Sequence, residues 1–339
     1  MSNYWIFPVF IPNYGCPQRC AFCDQSAVTG ESTHFPETAD LEVLFTKVWF
    51  SGKRAKDAAL VRQIAFYGGN FTGLPRDTQR RYLDWAAKKV AQGLVHSIRF
   101  STRPDALGKD EIAFLKGYPV HTVEIGVQSL SDAVLAGVRR GHTALEAREA
   151  VYRVRDAGWE TGVQLMPGLP GETMNGFLDG VRNIADWKVQ YARLYPTVVL
   201  EGTRLARDFE AGTYVPLTLK EAVTWCAAAC RILESAGIEV IRLGLPASPG
   251  LESAVMAGPY HPAFGFLVQS FRFHEGICEM IRALPRDARK LRVHLSSSDL
   301  SRFLGHRRAS WKALCETFPD KEIDYVTDCA VGEVSIERV

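Results

Sequence analysis

Short apolar runs alternate with longer amphipathic segments along the first 245 residues of the chain. The short runs are rich in β-branched and aromatic residues, and they predict strands at residues 5–11, 64–67, 97–101, 122–127, 161–166, 192–194 and 238–243. The longer segments carry apolar residues at helical spacing, and they predict helices at residues 40–49, 78–91, 109–115, 143–156 and 173–187. Strands that alternate with helices are typical of a parallel sheet with right-handed crossovers.

This order of elements predicts the α/β class. Polar and glycine-rich motifs follow the ends of the predicted strands, and the active sites of (βα) barrels lie at the carboxyl ends of their strands. We therefore expect a partial (βα)6 barrel of the TIM type rather than an open sheet. Pro246, Pro249 and Gly250 mark a boundary. The expected domains are a barrel at 1–245, a connecting or barrel-closing segment at 246–284 and a small α+β domain at 285–339.

Composition narrows the function classes. The chain has 339 residues, of which 47% are hydrophobic, and this suffices for two domains or for one large barrel with an appendage. Its 40 Lys and Arg against 38 Asp and Glu leave a net charge of +2, which excludes a generally polycationic nucleic-acid binder but leaves a local basic patch open. Without a long apolar run or a signal peptide in the sequence, we expect a cytoplasmic protein and no membrane partner. The eight cysteines are then expected to be thiols or metal ligands.

Cys16, Cys20 and Cys23 lie in one loop directly after the first predicted strand. A tight loop with these spacings can place each sulfur on a separate iron of a [4Fe-4S] cluster, which Cys thiolates normally hold at four corners. Only three cysteines are local, so the fourth iron would stay open, as catalytic metal sites keep an open position. The alternatives are a zinc loop completed by His34 and three unrelated thiols.

The spacing of these cysteines resembles the signature of the radical S-adenosylmethionine (SAM) superfamily. Residues 4 to about 245 resemble its Elongator catalytic subunit branch and, more distantly, oxygen-independent coproporphyrinogen oxidase. The resemblance implies that Cys16, Cys20 and Cys23 hold a [4Fe-4S] cluster whose open iron binds SAM. It further implies that one electron, from a donor such as flavodoxin or ferredoxin, cleaves SAM into a 5′-deoxyadenosyl radical that abstracts a hydrogen atom from the substrate.

The same resemblance implies SAM contacts from motifs that follow successive strands. The positions that match are Phe22, Gly68, Gly69, Asn70, Ser101, Gln128, Arg140 and Gln164. Arg140 is matched to the SAM carboxylate, which a planar guanidinium meets bidentately. Three positions depart from the family. Asn70 stands where the family has Glu or Thr, Ser101 where relatives often carry a cofactor-contacting Glu, and Gln164 where relatives use Asp or His.

The other cysteines and one aromatic segment have less specific patterns. Cys226 and Cys230 lie one turn apart on a predicted helix, where they either pack in the core or bind a second metal. Core packing is expected for the remaining three: Cys278, Cys315 and Cys329. Tyr260 and His261 lie in a segment rich in Gly, Pro and aromatic residues, which either packs structurally or closes the barrel and touches substrate.

The C-terminal region has the pattern β-α-α-β-β at residues 289–295, 298–304, 309–318, 322–327 and 333–338. This order resembles a KH domain, whose Gly-x-x-Gly loop clamps a nucleic-acid backbone, although Arg308 replaces the second glycine. Residues 286–312 hold eight Lys or Arg and two Asp, a net charge of +6, whereas residues 313–339 carry −5. A basic face would attract phosphates, and the candidate RNA contacts are Arg302, Gly305, His306, Arg307, Arg308 and Lys312. The alternative is a small α/β cap with a solvated basic helix.

These observations lead to the hypothesis of a radical SAM enzyme that modifies RNA, in particular tRNA. One alternative keeps the radical chemistry and directs it at a small metabolite or a protein. Another is a non-catalytic iron–sulfur or zinc protein that binds RNA. Acetyl transfer is not expected, because residues 246–339 are too few for the acetyltransferase domain of the Elongator subunit.

Overall fold

The computed structural model describes residues 4–339 except 12, 13, 18, 30–35, 53–56, 58 and 248. The chain divides into two compact units, Met1–Pro262 and Ala263–Val339. Among the described residues, none of the helices is both long and apolar enough to cross a membrane.

The first unit is built on a sheet of seven strands in the order β1-β2-β3-β4-β5-β6-β8. Every neighbouring pair is parallel. The expected α/β fold with a partial TIM-type barrel is confirmed. Its strands are β1 Tyr4–Phe10, β2 Val61–Tyr67, β3 Ser97–Thr102, β4 Val120–Gln128, β5 Glu160–Leu165, β6 Tyr191–Leu194 and β8 Glu239–Leu243.

Helices connect these strands. They are α1 Gln25–Thr29, α2 Thr38–Ser51, α3 Arg76–Ala91, α4 Lys109–Leu115, α5 Asp132–Gly137, α6 Ala144–Asp156, α7 Met174–Ala185, α8 Arg204–Glu210, α9 Leu219–Ser235 and α10 Pro249–Ala254. A small antiparallel ribbon pairs β7, Val199–Leu200, with β9, Val255–Ala257. Capping boxes begin α6 at Thr143 and α9 at Thr218, where the side chain bonds the first turn and a Glu three residues later bonds back.

Alternate strand positions separate an apolar layer from a polar interior. On one face, Phe66 and Phe100 are fully buried and both stack on Phe71, with ring centroids 4.8 and 4.9 Å apart. On the other face, Gln63 donates to Ser97 and Thr122 across three strands. Because side chains alternate along a strand, the sheet buries its apolar face and turns polar groups into the barrel interior.

The second unit contains one long helix and a mixed sheet. Its elements are α11 Phe264–Ala283, β10 Lys290–Leu295, α12 Leu300–Leu304, α13 Ala309–Thr317, β11 Glu322–Val326 and β12 Val334–Arg338. Strand β10 lies in the middle, parallel to β11 and antiparallel to β12. Phe303, Trp311 and Tyr325 form mutual edge-to-face contacts in its core. The β-α-α-β-β order is present, and the KH resemblance stays a prediction.

Candidate active site

A cavity of about 720 Å³ opens at the carboxyl ends of the parallel strands. Parallel strands end at one edge of their sheet, so the loops that follow them meet there. The cavity brings together the three loop cysteines and all the expected SAM contacts except Asn70: Cys16, Cys20, Cys23, Phe22, Gly68, Gly69, Ser101, Gln128, Arg140 and Gln164. Residues far apart in the sequence therefore share one site.

The cysteine loop is held against the barrel by backbone hydrogen bonds. The Ala21 N–H donates to Val138 O over 2.9 Å, and the Leu205 N–H donates to Ala21 O over 2.8 Å. The Ala21 side chain packs in a buried cluster with Met166 and Leu169. These contacts with three separate segments fix the loop beside the cavity.

The three thiols fit an iron–sulfur cluster better than a single metal ion. Within the part of the chain that the structure describes, no group of three His, Cys, Asp or Glu side chains is placed to hold one metal ion. Zinc requires such convergence, whereas a cubane takes each thiolate at a different iron and leaves the sulfurs apart. His34, the alternative zinc ligand, lies outside the described residues.

Two buried guanidinium groups flank Cys20. Arg140 Nη1 donates to Cys20 Sγ over 3.5 Å, and Arg103 Nη1 lies 3.9 Å from the same sulfur. Arg140 also donates to Gly126 O over 2.6 Å and to His142 Nε2 over 3.1 Å. Burial and the neighbouring Arg140 lower the pKa of His142 to about 4, so the imidazole is neutral and accepts this bond. These contacts of Arg140 are to an imidazole, a sulfur and a carbonyl oxygen, and its charge suits an anionic group of a ligand.

Gln128 ends β4 in a backbone conformation that residues other than glycine seldom adopt. Its φ is +71°, and the pairing of β4 with β5 shifts in register between Gly126 and Gln128. This irregularity places Gln128 at the cavity, where Gln164 Nε2 donates to Gln128 Oε1 over 3.2 Å. A Cβ on Gly126 would lie only 2.8 Å from both Arg140 Nη2 and Gln128 Nε2, so the ends of these two side chains would have to shift. Backbone strain of this kind is concentrated at ligand sites.

Asn70 bridges two loops and does not line the cavity. Its side chain is buried; Nδ2 donates to Gly15 O over 2.7 Å, and Oδ1 accepts from Thr102 Oγ1 and from the Arg103 N–H over 2.7 and 3.0 Å. A carboxylate could only accept. The amide at this position is therefore explained by its bridge between the cysteine loop and the end of β3.

The neighbouring residues lie on the cavity wall. Gly68 adopts a φ of +87°, and a Cβ on Gly69 would overlap the carbonyl oxygens of Ile11 and Tyr14. Gly69 therefore permits the close approach of the chain segment that leads into the cysteine loop. Ser101, which stands where relatives often carry Glu, makes one long hydrogen bond, to Phe66 O at 3.5 Å.

The cavity also contains a charge network that the sequence motifs did not reveal. Glu124 accepts from Arg99 Nε over 2.5 Å and from the Tyr67 hydroxyl over 2.8 Å, and it forms an ion pair with Arg193. Burial alone would raise the pKa of Glu124, but Arg193 and Arg99 hold it at about 2. Glu124, Tyr67 and Arg193 line the cavity. Charged residues at interior positions of apolar strands are the signal that could have identified them.

The turn after β5 is tied to Ser129, the residue that follows β4, by a half-buried carboxylate. Glu172 accepts from Ser129 Oγ over 2.7 Å and from the Gly168 N–H over 3.0 Å, while the Tyr214 hydroxyl donates to Gly168 O over 2.7 Å. Burial raises the pKa of Glu172 to about 7, against these hydrogen bonds. Residues 168–172, Gly-Leu-Pro-Gly-Glu, therefore form a hydrogen-bonded turn that follows Met166, a residue of the cavity wall.

The remaining cysteines are not among the residues that line the cavity. Cys226 and Cys230 are fully buried on α9, and burial raises the pKa of Cys226. Among the described residues they belong to no group that could hold a metal ion, which favours core packing. Core packing is also found for Cys278, but Cys315 is exposed and Cys329 is only half-buried, so the expectation was wrong for Cys315 and is not met by Cys329. Tyr260 and His261 are likewise absent from the cavity wall.

In the second unit, the basic segment is only partly available for a ligand. Lys290 and Arg292 pair with Glu322 and Asp324 on the adjacent strand, and Arg302 pairs with Asp299. Charges that are segregated along the sequence are thus partly neutralised across the sheet. The candidates in the turn between α12 and α13, His306, Arg307 and Arg308, are exposed, and so is Lys312 on α13.

This turn has a strained backbone. Arg307 and Arg308 both have positive φ angles, +50° and +62°, a region that favours glycine. Gly305 has a φ of +72°, and a Cβ there would overlap the side chain of Ser310. Arg308 therefore keeps, at the position of the missing second glycine, a conformation that glycine adopts more readily.

Family models and known proteins agree with this geometry. The radical SAM superfamily model matches residues 10–183, and the radical SAM C-terminal domain model matches residues 189–272. A tRNA uridine(34) acetyltransferase of Methanocaldococcus jannaschii is 29% identical over 204 residues, which cover 58% of this chain and 37% of that protein. Elongator complex protein 3 of Danio rerio is 29% identical over 168 residues, which cover 43% of this chain and 30% of that protein.

The fold is similar to that of a solved structure, the archaeal Elp3 of Methanocaldococcus infernus with an N-terminal deletion. The TM-score is 0.63 at 20% identity, and the match covers 81% of this chain and 64% of that one. This chain thus spans about a third of the length of the curated relatives named above. The superfamily model alone matches more than half of the residues. The chain belongs to the radical SAM superfamily, as an enzyme whose cofactors are a [4Fe-4S] cluster and SAM.

Proposed function

We propose that this enzyme cleaves SAM reductively and modifies RNA, in particular tRNA. The observation that carries the proposal is the meeting of Cys16, Cys20 and Cys23 with Gln128 and Arg140 in one cavity. When bound there, the cluster and SAM supply one-electron chemistry that yields a 5′-deoxyadenosyl radical able to abstract a hydrogen atom from the substrate. The electron would come from a donor such as flavodoxin or ferredoxin.

The residues of the chain would hold and orient the cofactors. Arg140 offers a charged guanidinium for the SAM carboxylate. Gln128, whose oxygen accepts from Gln164, keeps its Nε2 donor for the cofactor. Gly68 presents its backbone for the SAM amino group, and Phe22 presents an aromatic ring for the adenine.

The cavity wall also protects reactive chemistry. Met166, Val198 and Leu200 line it and are mostly buried. Apolar walls exclude water and so limit side reactions of a radical. A substrate group that enters the cavity would displace the remaining solvent.

Two observations support an RNA substrate. The relatives include a protein named tRNA uridine(34) acetyltransferase and proteins named Elongator complex protein 3. The turn between α12 and α13 exposes Arg307 and Arg308, whose charges would attract phosphates. Acetyl transfer is not part of the proposal, because the chain spans only 37% of that acetyltransferase.

Anaerobic reconstitution with iron and sulfide tests the cofactor chemistry. We expect the wild-type protein to bind a [4Fe-4S] cluster and to release 5′-deoxyadenosine from SAM under a strong reductant. Cys20→Ala should lose both properties, because a cluster with two remaining thiolates lacks a corner ligand. Identical behaviour of wild type and variant, with no SAM cleavage, would favour a non-catalytic protein.

Salt-dependent tRNA binding tests the substrate. The double variant Arg307→Ala/Arg308→Ala should weaken binding and reduce the slope of log affinity against log salt by about 2, since each phosphate contact contributes about one. Arg80→Ala/Arg182→Ala removes two exposed charges from outer helices of the barrel and serves as the matched control.

A cellular measurement separates RNA from the other substrate classes. Mass spectrometry of nucleosides from cells with and without the protein should show one modified nucleoside that disappears. Unchanged nucleosides would contradict an RNA substrate if tRNA binding also depended neither on salt nor on Arg307 and Arg308. The substrate of the radical chemistry would then be a small metabolite or a protein.

A further inference from the structure

Arg103 lines the cavity beside Cys20, but none of the roles assigned above uses it. Its side chain is only 3% exposed, and arginine is rarely buried to this extent unless it is paired. The contacts of Arg103 therefore indicate what its charge does.

Arg103 is fixed by both its backbone and its side chain. Its N–H donates to Asn70 Oδ1, which links it to the cysteine loop. Its guanidinium makes a bidentate pair with Asp105, with distances of 2.9 Å from Nε to Oδ1 and 3.0 Å from Nη2 to Oδ2. Nη2 also donates to Arg140 O over 2.5 Å. The remaining nitrogen, Nη1, is the one that faces Cys20 Sγ.

Arg103 carries a positive charge at a fixed position. A guanidinium stays protonated in proteins, and the bidentate pair with Asp105 holds that charge in place beside Cys20. Net charge and hydrogen bonds at the sulfurs are two means by which a protein sets the potential of an iron–sulfur cluster. A fixed cation beside a ligating sulfur stabilises the reduced form, which carries one more negative charge.

We propose that Arg103 is a positioning residue that raises the reduction potential of the cluster through Cys20, and that Asp105 limits this effect. The inference rests on the cluster site of the proposed function. The half-reaction is the gain of one electron from an external one-electron reductant, and no bond forms or breaks in it. Arg140 contacts the same sulfur, and SAM is its assigned ligand. Bound SAM would therefore change the charge beside Cys20 through Arg140, so the effect of Arg103 is measured in the absence of SAM.

The test is a redox titration of the reconstituted, SAM-free protein, followed by electron paramagnetic resonance. Arg103→Gln removes the charge, and at a fixed ambient potential it should reduce the ratio of reduced to oxidised cluster about tenfold, a shift of about 59 mV. Asp105→Asn removes the balancing carboxylate and should shift the potential in the opposite direction. Arg103→Lys retains the charge and should lie between Arg103→Gln and wild type.

Opposite shifts in the two neutralising variants, at equal iron content, are the expected result. A merely structural role would change cluster content, or would move both potentials in the same direction. Unchanged potentials at full iron content would overturn the inference while leaving the proposed function intact, whereas a wild-type protein that binds no cluster would end the proposed function itself. If Arg103→Gln takes up no cluster, the other two variants test the inference. The reduction potential should rise in Asp105→Asn and fall slightly in Arg103→Lys, and an absent or opposite shift would overturn the inference.

Discussion

The two units of this chain each connect neighbouring parallel strands with an arginine–carboxylate pair, but in contrasting surroundings. Arg99 and Glu124 join β3 to β4 with side chains only 4% and 7% exposed. Arg292 and Asp324 join β10 to β11 with side chains 36% and 56% exposed. In the first unit, Arg193 completes a desolvated network, whereas water screens the pair in the second. An arginine–carboxylate pair thus belongs to a buried charge network at the cavity in the first unit, whereas in the second unit it mainly balances surface charge.

The largest effect is expected from a substitution that breaks the buried network around Glu124. Arg193→Met removes one of the two guanidinium groups that pair with Glu124, so an ion pair is lost together with a charge-assisted hydrogen bond that alone is worth about 1.5–3 kcal/mol. Urea unfolding followed by tryptophan fluorescence should show this loss of unfolding free energy. Arg292→Ala is the matched control and should be unchanged within error, because exposed pairs contribute little. Equal losses would contradict the contrast between the units.

The next largest effect is expected in acid, where the buried pairs of Glu124 should lose stability and the exposed pair of Arg292 and Asp324 should contribute little. The pKa of Glu124 is held at about 2, below its ordinary value of 4.5. A carboxyl whose pKa is lowered by folding contributes stability above its unfolded pKa, and that contribution is lost as the pH falls from about 4.5 toward 2. Glu124→Gln should flatten the dependence of unfolding free energy on pH in this range. A slope that matches wild type would show that Glu124 is not responsible.

A smaller effect concerns binding by Arg140. Hydrogen bonds to charged groups are worth about 1.5–3 kcal/mol, so Arg140→Met should weaken SAM binding roughly 10- to 100-fold in equilibrium dialysis of the cluster-loaded protein. Arg140→Lys keeps the charge but loses the planar fork, so its dissociation constant for SAM should lie between those of the wild type and Arg140→Met. An unchanged dissociation constant would remove Arg140 from the SAM site.

The smallest effect is expected at His294 in the second unit. Hydrogen bonds with Asp328 and Glu337 raise the pKa of His294 above its ordinary value of 6.5. Its stabilising contribution is therefore complete below pH 6.5 and is lost as the pH rises through the folded-state value. The difference in thermal midpoint between wild type and His294→Gln should shrink between pH 6 and pH 9. Glu172 titrates near pH 7 in both proteins, so the difference isolates His294.

The order of barrel elements could be predicted because each strand and helix carries its own hydrophobic period. Several elements lacked such a local signal. Helix α11, Phe264–Ala283, begins in a segment rich in Gly, Pro and aromatic residues, and packing within the second unit stabilises it rather than intrinsic propensity. The ribbon of β7 and β9 joins strands of two and three residues, too short for a recognisable pattern.

The candidate site could be predicted where one motif carries the chemistry. Cys16, Cys20 and Cys23 were predicted from their spacing, the strand before them and the motifs after them, and in the structure all three line one cavity. Asn70 shows the limit, since its amide bridges two loops and only a three-dimensional structure shows which carbonyl it meets. Arg193 was missed for a related reason. A charged residue in an apolar strand indicates that a charge is buried, but the sequence does not show that its partner is Glu124, 69 positions away.

The left-handed backbone at Gln128 implies a conflict between stability and function at the end of β4. Glycine would relieve the strain of a φ of +71°, so Gln128→Gly could leave the fold as stable as before or more stable. The same change would delete the amide that Gln164 orients at the cavity. Selection for stability alone would favour glycine at this position, and selection for cofactor binding would favour glutamine.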